Sequence, residues 1–142
     1  MLSPVCACAR GDWTVLKCAI VELAEAVVVE LHGEVDLAAA LSFRECLDEG
    51  AKHQKPVLLD MTHLQYFDTS GVRVIEAFLP YAREHAGPVA IISPAATIRR
   101  GLYLMGVHRQ IPIIGSVDDA LAWLRTPPSG AGDDPGDTRT IL

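Results

Sequence analysis

Residues 64–78, LQYFDTSGVRVIEAF, place two hydroxyls, Thr69 and Ser70, between the acid Asp68 and the glycine Gly71. An apolar stretch ends just before them and a helical period begins just after. Three chemistries fit such a junction: a helix cap that accepts an orphan backbone N–H, a nucleophile, or a hydroxyl that meets or takes a phosphate. A serine-hydrolase nucleophile needs the strained elbow G-x-S-x-G, whereas Phe67 and Asp68 precede Thr69 here. Neither G-x-G-x-x-G after the first strand nor G-x-x-x-x-G-K-[ST] occurs, so the glycines that let a backbone wrap a dinucleotide or a nucleoside triphosphate are missing.

Asp60 and Asp68 could form a carboxylate pair, or a phospho-acceptor site of the receiver kind. A receiver holds magnesium with a further acidic pair after its first strand and uses a later lysine. Here GEVD follows the second strand and no lysine lies beyond Lys55. The cysteines Cys6, Cys8, Cys18 and Cys46 include a lone C-x-C, and the five histidines show no H-x₃₋₅-H spacing. A structural zinc site needs four ligands at workable spacings, so neither metal nor cofactor is expected. The reading is two exposed and two half-buried thiols, kept reduced as in a cytoplasm. A base at His32 or His63 near Asp60 has no serine or cysteine nucleophile placed beside it, and His63 reads as a loop histidine facing solvent.

The elements that must position the hydroxyl pair follow from period and punctuation. The chain has 142 residues, half of them hydrophobic, and no apolar run approaches the length of a membrane span. The N-terminus has no basic region followed by an apolar run and no cleavage site, so a cytoplasmic domain is expected. Net charge is −6; Asp133, Asp134 and Asp137 against Arg139 put −2 in the tail and leave −4 for the body. That sign gives no footprint for nucleic acid and favours protein partners. Residues 1–11 read as a loose lead-in, 12–125 as one domain, and 126–142, rich in Pro, Gly, Ser and Asp, as a disordered tail.

WTVLKCAIVEL and AVVVELHGEV are β-branched runs that suggest an antiparallel pair, with Gly33 at a bulge or turn. From Asp36, a natural N-cap, Ala40, Phe43, Leu47 and Ala51 fall on one side of a helix. PVLLDM reads as a strand covered on both faces. The next helix starts close to Ser70 and turns Val72, Ile75, Phe78, Leu79 and Ala82 inward, with a kink or early end expected at Pro80. GPVAIISP is a further strand, with Ser93 and Pro94 as cap and first residue of a third helix bearing Ile98, Leu102 and Met105. QIPIIG is a last short strand, and SVDDALAWL a last helix opened by Ser116. The order strand, strand, helix, strand, helix, strand, helix, strand, helix predicts an α/β fold: a mixed, mostly parallel sheet covered by about four helices. Right-handed crossovers then bring the strand-to-helix loops to one edge.

HGEVDLAAA, VLLDMTHLQYFDTSGVRVI, IISPAATIRRGLYLMGV and IPIIGSVDDALAWL together resemble the STAS domain of bacterial anti-sigma-factor antagonists, over essentially all of 12–125. The elements G-E-[VL]-D, a strand ending in Asp, and D-[ST]-S-G-[LV] occur in order at the family's separations. The resemblance implies a non-enzymatic partner switch. An anti-sigma factor that is also an ATP-dependent protein kinase would bind the unmodified antagonist and release a sigma factor, then phosphorylate the first hydroxyl of D-[ST]-S-G. Here that residue is Thr69, with Ser70 as the alternative because many members carry serine at the first position. Asp36, Asp68, Thr69, Ser70, Gly71 and Val72 would contact the partner, and a phosphoprotein phosphatase would be a further partner. Asp36 could equally be only a cap, and Gly71 could serve close approach of the kinase or tight helix packing. The alternative implied by the family is a non-switching module in a stress-signalling scaffold or a phospholipid-transport ATPase complex.

Overall fold

The computed structural model describes residues 2–4 and 16–126. Six strands and four helices run in the order β1 (Leu2–Pro4), β2 (Leu16–Glu22), β3 (Val27–Val35), α1 (Ala40–Ala51), β4 (Val57–Phe67), α2 (Thr69–His85), β5 (Val89–Ile92), α3 (Ala96–Leu104), β6 (Ile113–Ile114) and α4 (Val117–Arg125). The strands lie side by side in sequence order; β1–β2–β3 pair antiparallel and β3–β4–β5–β6 parallel. Three parallel steps in one direction, each right-handed, must put α1, α2 and α3 on the same face.

Alternation along the strands sorts the core accordingly. Val27, Val29, Leu31, Leu59, Met61 and Ile91 pack with Phe43, Leu47, Ile75, Phe78 and Leu102 of the three helices. The residues between them, Val28, Leu58, Ala90 and Ile92, pack with Ala120 of α4 on the other face. PVLLDM is therefore buried on both sides, as its unbroken apolar run requires. Gly33 has φ 106°, and the β3–β4 register shifts between Gly33 and Glu34, which makes the expected bulge.

Several expectations change. The loose lead-in contributes a strand, since Leu2–Pro4 pairs with the outer edge of β2; the tail from residue 127 lies outside the described residues. Helix α2 runs through Pro80 to His85 instead of ending early. Pro80 is exposed, so the carbonyl that loses its donor faces water, while Leu79 and Ala82 on the inner side anchor the helix. Ser93 does not cap α3: it takes a left-handed φ of 54°, its N–H donates to the Ile114 carbonyl at 2.8 Å, and the helix begins at Ala96 behind Ala95.

The cysteines are also corrected. Cys18 of β2 and Cys46 of α1 form a disulfide with Cα atoms 6.7 Å apart, within the range that such a bridge spans. Both point into the same core, at 9% and 0% exposure, because α1 crosses that face of the sheet. Cys6 and Cys8 lie outside the described residues.

Candidate functional site

The C-terminal ends of β3 and β4 bring the predicted residues to one edge. Val35 and Phe67 are register partners, so Asp36 and Asp68 leave adjacent strands side by side. Both have extended backbones and each caps the helical turn after it. Asp36 Oδ1 accepts from the Ala39 N–H at 3.0 Å, closing a 3-10 turn over Leu37–Ala39 ahead of α1. Asp68 Oδ1 accepts from the Ser70 N–H at 2.8 Å and starts α2. Its other oxygen, Oδ2, accepts from the Tyr66 hydroxyl at 3.0 Å. That hydrogen bond, together with the charge of Asp68 and, less strongly, those of Asp36 and Glu34, holds the Tyr66 phenol above its ordinary pKa.

The four residues after Asp68 divide by exposure. Thr69 is exposed and Ser70 half-buried, while Gly71 and Val72 are buried. Val72, at 6% exposure, belongs to the core and offers a partner little of its side chain. A Cβ on Gly71 would lie 2.5 Å from Phe67 Cε1 and 2.9 Å from Val35 Cγ1. Glycine is thus required where α2 presses on the ends of β3 and β4, and tight packing accounts for it.

Beside Thr69 the first turns of α1 and α2 enclose an open groove of about 470 Å³. Leu37, Ala40 and Val74 supply its apolar surface, Thr69 and Ser70 its upper end, and Arg44 and Arg73 its charge. Leu37, in the same groove as the hydroxyl, is 78% exposed, and Leu41 on α1 is 65% exposed. Sequence reading missed Leu37, Arg44 and Arg73. Asp36 is expected to start a regular helix, whereas a 3-10 turn over Leu37–Ala39 precedes α1 and Leu37 stands exposed; the available signal is an apolar residue directly after a cap.

The remaining candidates do not converge on chemistry. His32 and His63, paired across β3 and β4, stack at 4.8 Å with rings 9° from parallel. Asp60 Oδ1 is occupied by the Thr62 N–H at 3.0 Å and the Thr62 hydroxyl at 2.6 Å. Among the described residues no three His, Cys, Asp or Glu side chains are grouped to hold a metal ion. No helix among them is long and apolar enough to cross a membrane.

Comparison with known proteins agrees with this fold. The STAS domain family matches residues 17–120, and the chain belongs to that family. It is 22% identical over 102 residues to the anti-sigma-F factor antagonist RsfB of Mycobacterium tuberculosis, covering 69% of this chain and 80% of RsfB. The fold is similar to that of an anti-sigma factor antagonist from Mycobacterium paratuberculosis, with TM-score 0.70 and 18% identity over 78% of this chain and 95% of the other. It is also similar to unphosphorylated SpoIIAA, with TM-score 0.61 and 20% identity over 78% and 96% of the two chains. The phosphorylated form of SpoIIAA from Bacillus gives TM-score 0.54, again at 20% identity, over 78% and 99%.

Proposed function

We propose that this STAS-domain chain is an anti-sigma-factor antagonist, docking its Thr69 edge on an anti-sigma factor with protein kinase activity and released by phosphorylation of Thr69. The observation that carries the reading is the state of Thr69: it is the exposed first residue of α2, held by a cap that uses Asp68 and leaves the threonine side chain free of that task. Ser70 is half-buried and is the poorer acceptor. The exposed Leu37, which shares the groove with Thr69, supplies apolar surface that a partner would cover. RsfB, named for antagonism of an anti-sigma factor, and SpoIIAA, solved with and without phosphate, support the same reading.

In the transfer, Thr69 Oγ1 attacks the γ-phosphorus of ATP. A new P–O bond forms, the bond from that phosphorus to the β,γ-bridging oxygen breaks, ADP leaves, and the hydroxyl proton passes to a base on the kinase. The kinase brings ATP, magnesium and base, so the antagonist needs no catalytic group of its own, and the exchange takes place in the cytoplasm. The phosphate adds a charge of about −1.5 to −2. The N-terminal end of α2 tolerates it, so the fold persists. An unpaired charge in an interface costs about 2–5 kcal/mol, roughly a 30-fold to several-thousand-fold loss of affinity. A phosphatase would restore the hydroxyl.

The test is a pull-down from the source organism with wild type, Thr69→Ala and Thr69→Glu as baits, followed by phosphosite mapping. An ATP-binding anti-sigma factor held by wild type and Thr69→Ala but not by Thr69→Glu, with phosphate on Thr69, is the expected result. Recovery of one transport ATPase or scaffold by all three baits, with residues 69 and 70 unmodified, would make the domain a constitutive interaction module.

A further inference from the structure

We propose that a phosphate on Thr69 is bound within the same molecule by Arg73, with Arg44 facing it from the opposite wall of the groove; this rests on the reading of Thr69 as the phospho-acceptor. Thr69 and Arg73 are four residues apart in α2, which sets their side chains next to each other on one face with Cβ atoms about 6 Å apart. Both line the groove together with Arg44.

The two arginines differ in what already holds them. Arg73 is exposed and makes no hydrogen bond or ion pair with the described residues. Arg44 is oriented: its Nε lies 2.9 Å from Asp48 Oδ1, and its guanidinium carbon stands 5.8 Å from the centre of the Phe78 ring on α2. One cation is therefore free to close on a ligand and the other is held at the groove wall. The acids nearby are occupied. Asp68 accepts from Ser70 and Tyr66, Asp48 from Arg44, and Glu76 from the Gln110 amide at 3.2 Å.

A guanidinium offers paired donors that match two phosphate oxygens. A phosphate held by Arg73 is partly neutralised, Arg44 being already paired with Asp48, so the phosphorylated surface presents an occupied groove and no longer offers Arg73 to a partner. Release then comes from occupation of the docking face, and the penalty of an unpaired charge applies only to the part of the phosphate charge that Arg73 leaves unmatched.

The test uses the full chain with phosphothreonine incorporated at position 69 during translation, so that no kinase is involved. The phosphate's second ionisation is followed by phosphorus NMR in this protein and in its Arg73→Gln, Arg44→Gln and Arg100→Gln variants, Arg100 being an exposed arginine on α3. Arg73→Gln is expected to raise that pKa by about half a unit or more and Arg44→Gln by less. Arg100→Gln should leave it in place, and roughly 1 M sodium chloride should shrink the difference. A pKa in Arg73→Gln within about a tenth of a unit of the parent, with circular dichroism unchanged, overturns the proposal. A kinase that fails to modify Thr69 counts against the switch and leaves this titration to decide; a flat titration in a protein that the kinase does modify counts against Arg73 alone.

Discussion

Replacing Gly71 by alanine should destabilise the domain, while the same change at Gly101 should stabilise it. Both glycines lie inside helices, α2 and α3, and alanine there gains up to about 1 kcal/mol over glycine through reduced freedom of the unfolded chain. At Gly101 nothing opposes the gain, because the nearest atom to a new Cβ is Met105 Cε at 3.9 Å, an ordinary contact. At Gly71 the new methyl would meet Phe67 Cζ at 2.6 Å and Val35 Cγ1 at 2.9 Å. The Phe67 ring stands edge-on to Phe43 at 6.0 Å and Val35 is wholly buried, so neither gives way freely. Overpacking of this kind costs about 1–3 kcal/mol. The net expectation is a loss of up to about 2 kcal/mol for Gly71→Ala and a gain of up to about 1 kcal/mol for Gly101→Ala, read from urea midpoints at constant slope. The double variant Gly71→Ala with Phe67→Leu should lose less than the sum of the singles, because shortening the ring relieves part of the clash. Equal stabilisation by the two alanine substitutions would refute the claim that α2 is wedged against the ends of β3 and β4, and with it the account of how Thr69 is held.

Reducing the Cys18–Cys46 bridge, or replacing Cys46 by serine, should lower stability by about 3.5 kcal/mol, since the bridge closes a loop over a separation of 28 residues; alkylation before and after unfolding under reducing and non-reducing conditions reads the pairing directly, and ready labelling of both thiols in the native protein would contradict it. Asp68→Ala should cost about 1 kcal/mol through the lost cap and Asp68→Asn much less, as measured by urea unfolding. Asp68→Asn should also lower the Tyr66 pKa, because the carboxylate that accepts its hydroxyl is the main cause of its elevation. A phenol whose pKa is raised in the folded state contributes stability below its unfolded pKa and loses it as pH rises through the folded one. The wild-type advantage from this contact should therefore fade above about pH 10; a Tyr66 titration that is the same in both proteins, followed by NMR of its ring, would remove Asp68 as the cause.

Local signals carried most of the framework. Ser116 caps the helix it is expected to open, and Asp36 caps a turn where it is expected to, though a 3-10 turn ahead of α1 and not α1 itself, because a cap is decided within three or four residues. The inward face of α2 follows from period alone, as do Phe43, Leu47 and Ala51 of α1, whereas Ala40 lines the groove. What failed depended on contacts distant in sequence. Ser93 looks like a cap, yet its N–H is taken by β6, which its neighbours do not announce. Cys18 and Cys46 meet only because α1 crosses β2 on one face of the sheet, and Pro80 is harmless only because its side of α2 is exposed. The groove was invisible for the same reason, since Leu37 and Arg44 come from one crossover and Thr69 and Arg73 from the next.

The edge that results is electrically divided. On one side of Thr69, Glu34, Asp36 and Asp68 act together on Tyr66; on the other, Arg44 and Arg73 line the groove. A net charge of −6 describes neither side and would steer only the approach of a partner. Helical register decides which side a modified residue 69 addresses. Position 69 lies one turn before Arg73, whereas Tyr66 and Asp68 precede the helix and are bound to each other through the cap. A partner that covers both sides must match a dipole and not a single sign, so exchanging one charge on either side should weaken docking more than adding the same charge elsewhere on the surface. Under the proposed switch, a phosphoryl group at residue 69 would add charge of one sign where the acidic cap residues and the two arginines meet.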